Sequence, residues 1–533
     1  MQPAQRTLPG VLRAAASTYA DREAVVDGDT RLTYAQLHEQ VRRAAGALIA
    51  LGVGSGDRVC IWAPNSWRWE VLALAVTYAG GTLTPVNTRY TGHEAADVIA
   101  RTRAKVVAVA DGFLGRTQYD ELVSAANAEG HTLPVVIRLP HGEMEPASDT
   151  VDDGSLVVAW EDLDRLAADV ASTQVEHRAG QVRPDDVADI LFTSGTTGRS
   201  KGACSAHRQV VSVAEAWADC GEVTSDDRYL VVNPFFHSFG YKAGLVVALL
   251  TGATVVPQAV FDVSETFRVI DQERITVLPG APAIYQAMLE SAERDKHDLS
   301  SLRLAVTGAA TVPVALVERM QSEMGFDSVL TAYGLTEAVV ATMCRPGDTD
   351  SRVANTCGRA AAGLEVRIGK PGSNTPLPVG EEGEVLLRGD NVMLGYLDDP
   401  EATAEAVDPD GWLHTGDVGR LDEDGYLEIT DRLKDVYIVG GFNVYPAEVE
   451  QVLARLDGVV ESAVVGVPDE RLGEVGHAFV VRRSGSVLDE DTVLSYARER
   501  LANFKVPRGV TFIDDLPRNP SGKVLKRELR SSR

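Results

Sequence analysis

The sequence predicts an α/β protein: a large N-terminal domain of two α/β subdomains plus a small β-rich subdomain, followed by a smaller α+β C-terminal domain. Three observations carry that reading. The chain has 533 residues, and at about 100 to 200 residues per domain it requires several cores. Over roughly residues 186–340 short β-branched runs alternate with helical periodicity, and after Asp431 the pattern restarts.

Within the first 180 residues, helical periodicity over 34–51 and apolar runs at 58–62 and 105–110 read as an α/β portion. Residues 141–158 are polar and acidic, as expected of a surface excursion. The central series then runs strand 187–192, helix 209–220, strand 227–233, helix 244–250, strand 275–278, helix 283–290, strand 302–306, helix 313–324 and strand 329–332. Pro313 suits a helix's first turn and Gly325 its stop. Such alternation predicts a mostly parallel sheet covered by helices. Small, hydroxylated or aromatic residues fill the loops 193–202, 234–241, 279–282, 307–311 and 333–337. In open α/β sheets the carboxyl ends of the strands line one crevice, so these five loops are expected to converge on one site. Over 353–430 short strands alternate with Gly, Pro, Asn and Asp turns, the mark of a small β-rich subdomain. The last segment reads as strand 436–439, helix 446–456, strands 463–467 and 478–481, helix 493–501 and strand 510–513.

Apolar residues make up 44% and charged residues 24%, as in ordinary soluble globular protein. Lys and Arg number 51 against 77 Asp and Glu, a net charge of −26. Such a surface repels polyanions at long range, which excludes a general nucleic-acid or anionic-membrane binder. Residues 501–533 run the other way, with eight basic residues and three acidic ones. The five cysteines, Cys60, Cys204, Cys220, Cys344 and Cys357, form no C-x-x-C pair. That pattern favours reduced thiols in a cytoplasmic protein over a disulfide or zinc framework. Residues 1–17 lack the apolar core of a signal peptide. The most apolar stretch, 243–257, is interrupted by Thr251 and Gly252 and falls short of the roughly 20 residues that span a bilayer, so no integral membrane association is expected.

The segment Thr193-Ser194-Gly195-Thr196-Thr197-Gly198-Arg199-Ser200-Lys201-Gly202 follows an apolar strand and sets glycines and hydroxyls around two cations. Glycine lets backbone N–H groups approach a phosphate, hydroxyls add donors, and Lys or Arg supplies charge. It has no Walker register, and Gly52-Val53-Gly54-Ser55-Gly56-Asp57 is not a dinucleotide fingerprint, because Asp57 stands where glycine is required. On composition alone a Gly/Ser/Thr surface loop explains the segment as well as a phosphate cradle does.

Five further segments appear in order: Asn233-Pro234-Phe235-Phe236-His237, Tyr333-Gly334-Leu335-Thr336-Glu337, Gly411-Trp412-Leu413-His414-Thr415-Gly416-Asp417, Asp431-Arg432-Leu433-Lys434-Asp435 and Pro517-Arg518-Asn519-Pro520-Ser521-Gly522-Lys523. With the glycine-rich loop they make the chain, from about residue 8 to 530, resemble the adenylate-forming superfamily of acyl-CoA synthetases, luciferases and nonribosomal-peptide adenylation domains. The resemblance implies the adenylate-forming fold, with an AMP-binding domain over 1–431 and a mobile C-terminal domain over 432–533. It also implies an AMP-forming acyl-CoA synthetase that uses ATP, Mg2+ and CoA. A carboxylate attacks the α-phosphorus of ATP to give acyl-AMP and pyrophosphate, and the CoA thiol then displaces AMP.

By the same resemblance Thr193, Ser194, Gly195, Thr196, Thr197, Gly198 and Lys201 cradle the β- and γ-phosphates. Glu337 matches the magnesium ligand, a hard-cation carboxylate, and Thr336 reaches the α-phosphate. Tyr333 with Gly308, Ala309 and Ala310 forms the adenine wall, while Asp417 and Arg432 hold the ribose. Lys523 is the catalytic lysine bridging carboxylate and α-phosphate, and Lys434 is the hinge between the two half-reactions. Gly440 and Gly441 face the pantetheine tunnel, and His237, Ser238, Phe239, Gly240, Tyr241, Ala281, Ala310 and Val312 line the acyl pocket. The stretches 233–244, 307–313 and 436–446 closely resemble those of bacterial CoA ligases of steroid degradation. That points to the bicyclic methylhexahydroindanedione propanoate as the acid. A medium-chain or aromatic acid, an acyl-AMP ligase loading a carrier protein, and a catalytically dead nucleotide-binding scaffold are the alternatives, and a homodimer is compatible with all of them.

Overall fold

The computed structural model describes residues 6–141, 156–193, 200–308, 314–370, 372–432, 437–444, 446–483, 485–517, 524 and 526–531. They form four sheets. In the first, of eight strands, Val187–Thr193, Thr82–Pro85, Arg58–Trp62, Val106–Ala110, Val135–Leu139 and Val157–Ala159 run parallel. Lys201–Ala206 pairs antiparallel to the first of these, and Gly395–Tyr396 closes that edge. The nine-stranded sheet has a parallel core of Ser328–Tyr333, Leu304–Gly308, Val277–Pro279, Arg228–Val231, Thr254–Pro257 and Glu23–Asp27.

One continuous core joins these two sheets, holding Val59, Ile61 and Leu83 from one and Val25, Leu230 and Val306 from the other. Helix Trp67–Tyr78 belongs to it and is buried from Trp69 through Tyr78, so apolar residues fall all round it, with Glu70 and Thr77 buried among them. Helix Tyr34–Ala50 starts at a capping box in which Thr33 and Gln36 satisfy each other's backbone donors.

The central series therefore does not build one sheet, as expected from the sequence. Its first strand joins the N-terminal sheet, and the strand Lys201–Ala206 had no counterpart in the reading of the sequence. Residues Gly202, Ala203, Cys204 and Ser205 are too small to signal a strand; pairing with the long apolar strand beside them makes it one. A second difference lies in the loop expected at 234–241. A helical stretch already begins at Ser238–Gly240, passes through a π-helical turn at Tyr241–Val246 and ends in Val247–Thr251. Helix Pro446–Leu453 is shorter than expected, and the strands Val459–Asp469 and Gly473–Arg482 are longer, because they pair along almost their whole length.

The β-rich subdomain is a four-stranded antiparallel sheet of Leu364–Gly369, Gly383–Gly389, Leu413–Leu421 and Leu427–Arg432. The C-terminal part is a five-stranded sheet with helices Pro446–Leu453 and Glu490–Arg500, closed around its own core of Tyr437, Leu453, Val464, Val480 and Val493. Among the described residues no helix is long and apolar enough to cross a membrane.

Candidate functional site

The glycine-rich segment joins two paired strands: Thr193 lies opposite Lys201 in the hairpin, and its hydroxyl donates to the Lys201 carbonyl at 3.4 Å. The Lys201 ammonium sits 5.0 Å from the centroid of the Tyr396 ring. The Tyr396 hydroxyl donates to Glu337 Oε1 at 2.7 Å. Burial pushes the Glu337 carboxyl above its usual range, against the opposing pull of Tyr396 and Lys201. Tyr396 thus links two residues singled out in the sequence, Lys201 and Glu337, across two sheets. Sequence reasoning missed it, since an aromatic residue between Gly395 and Leu397 carries no motif.

Glu337 and Thr336 follow a turn that only glycine permits, because a Cβ on Gly334 would fall 1.6 Å from the Val339 carbonyl oxygen. One strand away, Gly308 pairs with Ala332, and its Cβ would lie 2.4 Å from the Ala332 oxygen. Gly308 and Tyr333 therefore end adjacent parallel strands, as a flat wall requires. The Tyr333 hydroxyl donates to Asp417 Oδ2 at 2.7 Å, and Asp417 is only 8% exposed. Directly across the antiparallel ladder from Asp417 stands Arg432. Tyr333 and Asp417 thus meet directly, and Asp417 stands near enough to Glu337 to help push its carboxyl upward.

The acyl candidates come from neighbouring loops. Asn65 pins the first, donating to the Val231 and Asn233 carbonyls and accepting from the Phe235 N–H. Asn233 in turn donates to the Pro279 carbonyl at 3.0 Å, tying this loop to the one that carries Ala281. Gly240 is dictated by close approach, since a Cβ there would lie 2.3 Å from both the Asn233 and Pro234 oxygens. His237 accepts the Phe239 N–H at Nδ1, and its side chain is exposed to solvent. Phe239 packs edge-on against Trp217 at 5.4 Å, while Ser238, Gly240 and Tyr241 are buried, the last against Trp69.

Behind these loops Lys242, on the π-helical turn, bonds Asp189 at 2.9 Å and Ser205 at 2.8 Å, on the two strands that flank the glycine-rich segment. Both charges are at most 1% exposed. Burial raises the Asp189 pKa, and Lys242 opposes that rise.

Gly440 and Gly441 form the turn between strands Tyr437–Val439 and Phe442–Val444, at φ of +55° and +88°. A Cβ on Gly441 would lie 3.6 Å from the Ala281 Cβ, so the structure brings the CoA-tunnel and acyl-pocket candidates side by side. Ser194, Gly195, Thr196, Thr197, Gly198, Ala309, Ala310, Val312, Lys434 and Lys523 lie outside the described residues. Among the described residues no group of three or more His, Cys, Asp or Glu side chains is placed to hold a metal ion. A single carboxylate such as Glu337 suits a cation that takes its other ligands from phosphate and water.

Residues 12–397 match the AMP-binding enzyme family, and residues 448–523 match the AMP-binding enzyme C-terminal domain. A ligase from Rhodococcus jostii, 3-[(3aS,4S,7aS)-7a-methyl-1,5-dioxo-octahydro-1H-inden-4-yl]propanoyl:CoA ligase, is 57% identical over 99% of both chains. Among solved structures, a double mutant of o-succinylbenzoate CoA synthetase from Bacillus subtilis, bound to its product analogue OSB-NCoA, superposes with a TM-score of 0.83 at 27% identity, covering 98% of each chain. ATP-bound MatB from Rhodopseudomonas palustris is more similar in sequence, at 33% over 98% of each chain, yet superposes with a TM-score of only 0.68.

Proposed function

The chain belongs to the AMP-binding enzyme family, and from that premise we propose that it is an AMP-forming acyl-CoA synthetase whose acid is the methylhexahydroindanedione propanoate of steroid breakdown. Carboxylate, ATP and CoA give acyl-CoA, AMP and pyrophosphate through an acyl-adenylate. The observation that carries this reading is the end-to-end 57% identity to a ligase named for that acyl group. The convergence of Lys201, Glu337, Tyr333 and Asp417 supports the chemistry.

Adenylation brings a carboxylate onto a polyphosphate, so donors and cations must be in place where negative charge grows. Thr193, Lys201 and the segment between them take the β- and γ-phosphates, and Thr336 takes the α-phosphate. The Asp417 carboxylate accepts from the ribose hydroxyls beside Arg432, and the Tyr333 hydroxyl bonded to it fixes the ring that stacks on adenine. Glu337 is the residue that would hold magnesium, which when bound neutralises phosphate charge; Tyr396 favours the ionised carboxylate that this task needs. His237, Ser238, Phe239, Gly240, Tyr241, Ala281 and Val312 shape the acyl side. Lys523, on the domain spanning 432–533, neutralises charge between acid and α-phosphate. That domain then turns about Lys434, replacing Lys523 with the Gly440–Gly441 turn, where a side chain would obstruct the thiol. The placement of Gly441 beside Ala281 is what the second arrangement needs.

Pyrophosphate release across a panel of acids, each with and without CoA, tests the reading. The steroid-derived propanoate is expected to turn over fastest, with acyl-CoA as product. Turnover of linear or aromatic acids alone rejects the steroid acid, and acyl-AMP as the final product with CoA present rejects the ligase.

A further inference from the structure

A buried cation lies between the large and small domains and takes no part in the steps above. Lys505 is 1% exposed and follows helix Glu490–Arg500. Its ammonium donates to Glu94 Oε1 on the large domain at 2.9 Å. It also donates to Glu448 Oε1, in the first turn of helix Pro446–Leu453, at 2.7 Å, and lies 4.3 Å from the Tyr90 ring centroid. An ammonium this deep is tolerated only when its donors are met. Here one carboxylate is its own domain's, while the other, with the aromatic face, belongs to the large domain. Burial alone would lower the lysine's pKa, but Glu94, Tyr90 and Glu448 hold it above the usual range, so it is charged.

The residues beside it connect this contact to the CoA turn. Ala502 is packed into the large-domain cluster of Trp62, Val86 and Tyr90. Phe504 packs against both that cluster and the small-domain core. The Phe504 ring stacks on Phe442 with centroids 4.6 Å apart, and Phe442 directly follows Gly441. A continuous line of packed groups therefore runs from Glu94 and Tyr90 through Lys505, Phe504 and Phe442 to the turn beside Ala281. If the small domain turned away, Lys505 would keep Glu448 but lose Glu94.

We propose that Lys505 is a positioning residue for thioester formation: its bond to Glu94 docks the small domain in the orientation that sets the Gly440–Gly441 turn against Ala281. This rests on the two-step ligase reading. Glu94→Gln in the full chain is the cleanest test, because Glu94 Oε2 also accepts the Thr91 N–H in a capping box, which glutamine preserves. Lys505→Met is the companion variant.

Three measurements are made: CoA-independent adenylation, conversion of supplied acyl-AMP and CoA to thioester, and amide hydrogen exchange of the unliganded protein. Adenylation is expected within about twofold of the unaltered protein, and thioester formation slowed about 10- to 100-fold. Exchange is expected to quicken over residues 501–506 while strand Val459–Asp469 stays protected. An equal fall in both half-reactions overturns the proposal, as does unchanged exchange with unchanged thioester formation. If the unaltered protein activates no acid on the panel, the ligase reading fails by itself, and the exchange experiment still decides whether Lys505 docks the domains.

Discussion

Replacing Tyr396 with phenylalanine removes one oxygen from the site and leaves the ring over Lys201. The lost group is the donor to Glu337 Oε1 at 2.7 Å. A hydrogen bond to a charged group contributes about 1.5–3 kcal/mol, and here it favours the ionised form of a carboxyl that burial already pushes upward. Removing it raises that carboxyl's pKa further. Because the reaction needs the ionised carboxylate, the acid limb of the pH–rate profile moves to higher pH. Below the limb, Tyr396→Phe is expected to lose activity by about 10- to 100-fold, the rate equivalent of that energy, and to recover toward the unaltered rate as pH rises past it. The assay is pyrophosphate release at saturating ATP and Mg2+ from acid to alkaline pH. A uniform loss at every pH would refute the reasoning, because it would mean that the hydroxyl acts on something other than the Glu337 proton.

Gly441→Leu places a side chain at φ +88° against Ala281, and is expected to reduce thioester formation by at least about tenfold through strain and obstruction while adenylation from ATP continues, read by following each half-reaction. Lys523→Ala should do the reverse, abolishing ATP-dependent adenylation while supplied acyl-AMP and CoA still give thioester; equal loss of both steps would remove the role assigned to that lysine. Gly240→Ala drives a Cβ onto two backbone oxygens and is expected to cost about 1–3 kcal/mol, seen as a lower melting temperature and a raised KM for the acid with the KM for ATP unchanged. Cys60 is fully buried, with its thiol pushed up to about 12; a thiolate-directed reagent should leave it unlabelled in the native protein and label it in denaturant.

Residues whose chemistry demands one residue type were legible in the sequence. Gly308 and Gly334, quoted in the sequence within their segments, stand where a Cβ would meet backbone oxygen, and Tyr333 with Asp417, from two separate segments, meet in one hydrogen bond. Partnership between strands was not legible. Hydrophobic periodicity shows that 187–192 and 227–233 are strands, but it carries no term for which sheet each joins, so the division into two sheets was lost. The strand Lys201–Ala206 exists only through its neighbour. Asn65, Tyr396 and Lys505 act through tertiary contacts far along the chain, and each residue type has a commoner role: an asparagine in a turn, an aromatic in a core, a lysine in water.

The buried pair of Lys242 with Asp189 sets a tolerance. Apolar layers slide past one another by fractions of an ångström at little cost, because each atomic contact contributes only about 0.1–0.2 kcal/mol. An ion pair sealed from water cannot slide in the same way: as its atoms part, a charge is left with neither its partner nor solvent. Lys242 stands just past the acyl loop, and Asp189 and Ser205 stand on the strands that enter and leave the glycine-rich segment. This contact is therefore a ruler between the π-helical turn and the eight-stranded sheet, fixing how far the proposed acyl wall sits from the proposed phosphate loop. On the proposed reading, side chains away from this contact can change to suit acids of different bulk while the distance between the acyl wall and the phosphate loop stays set.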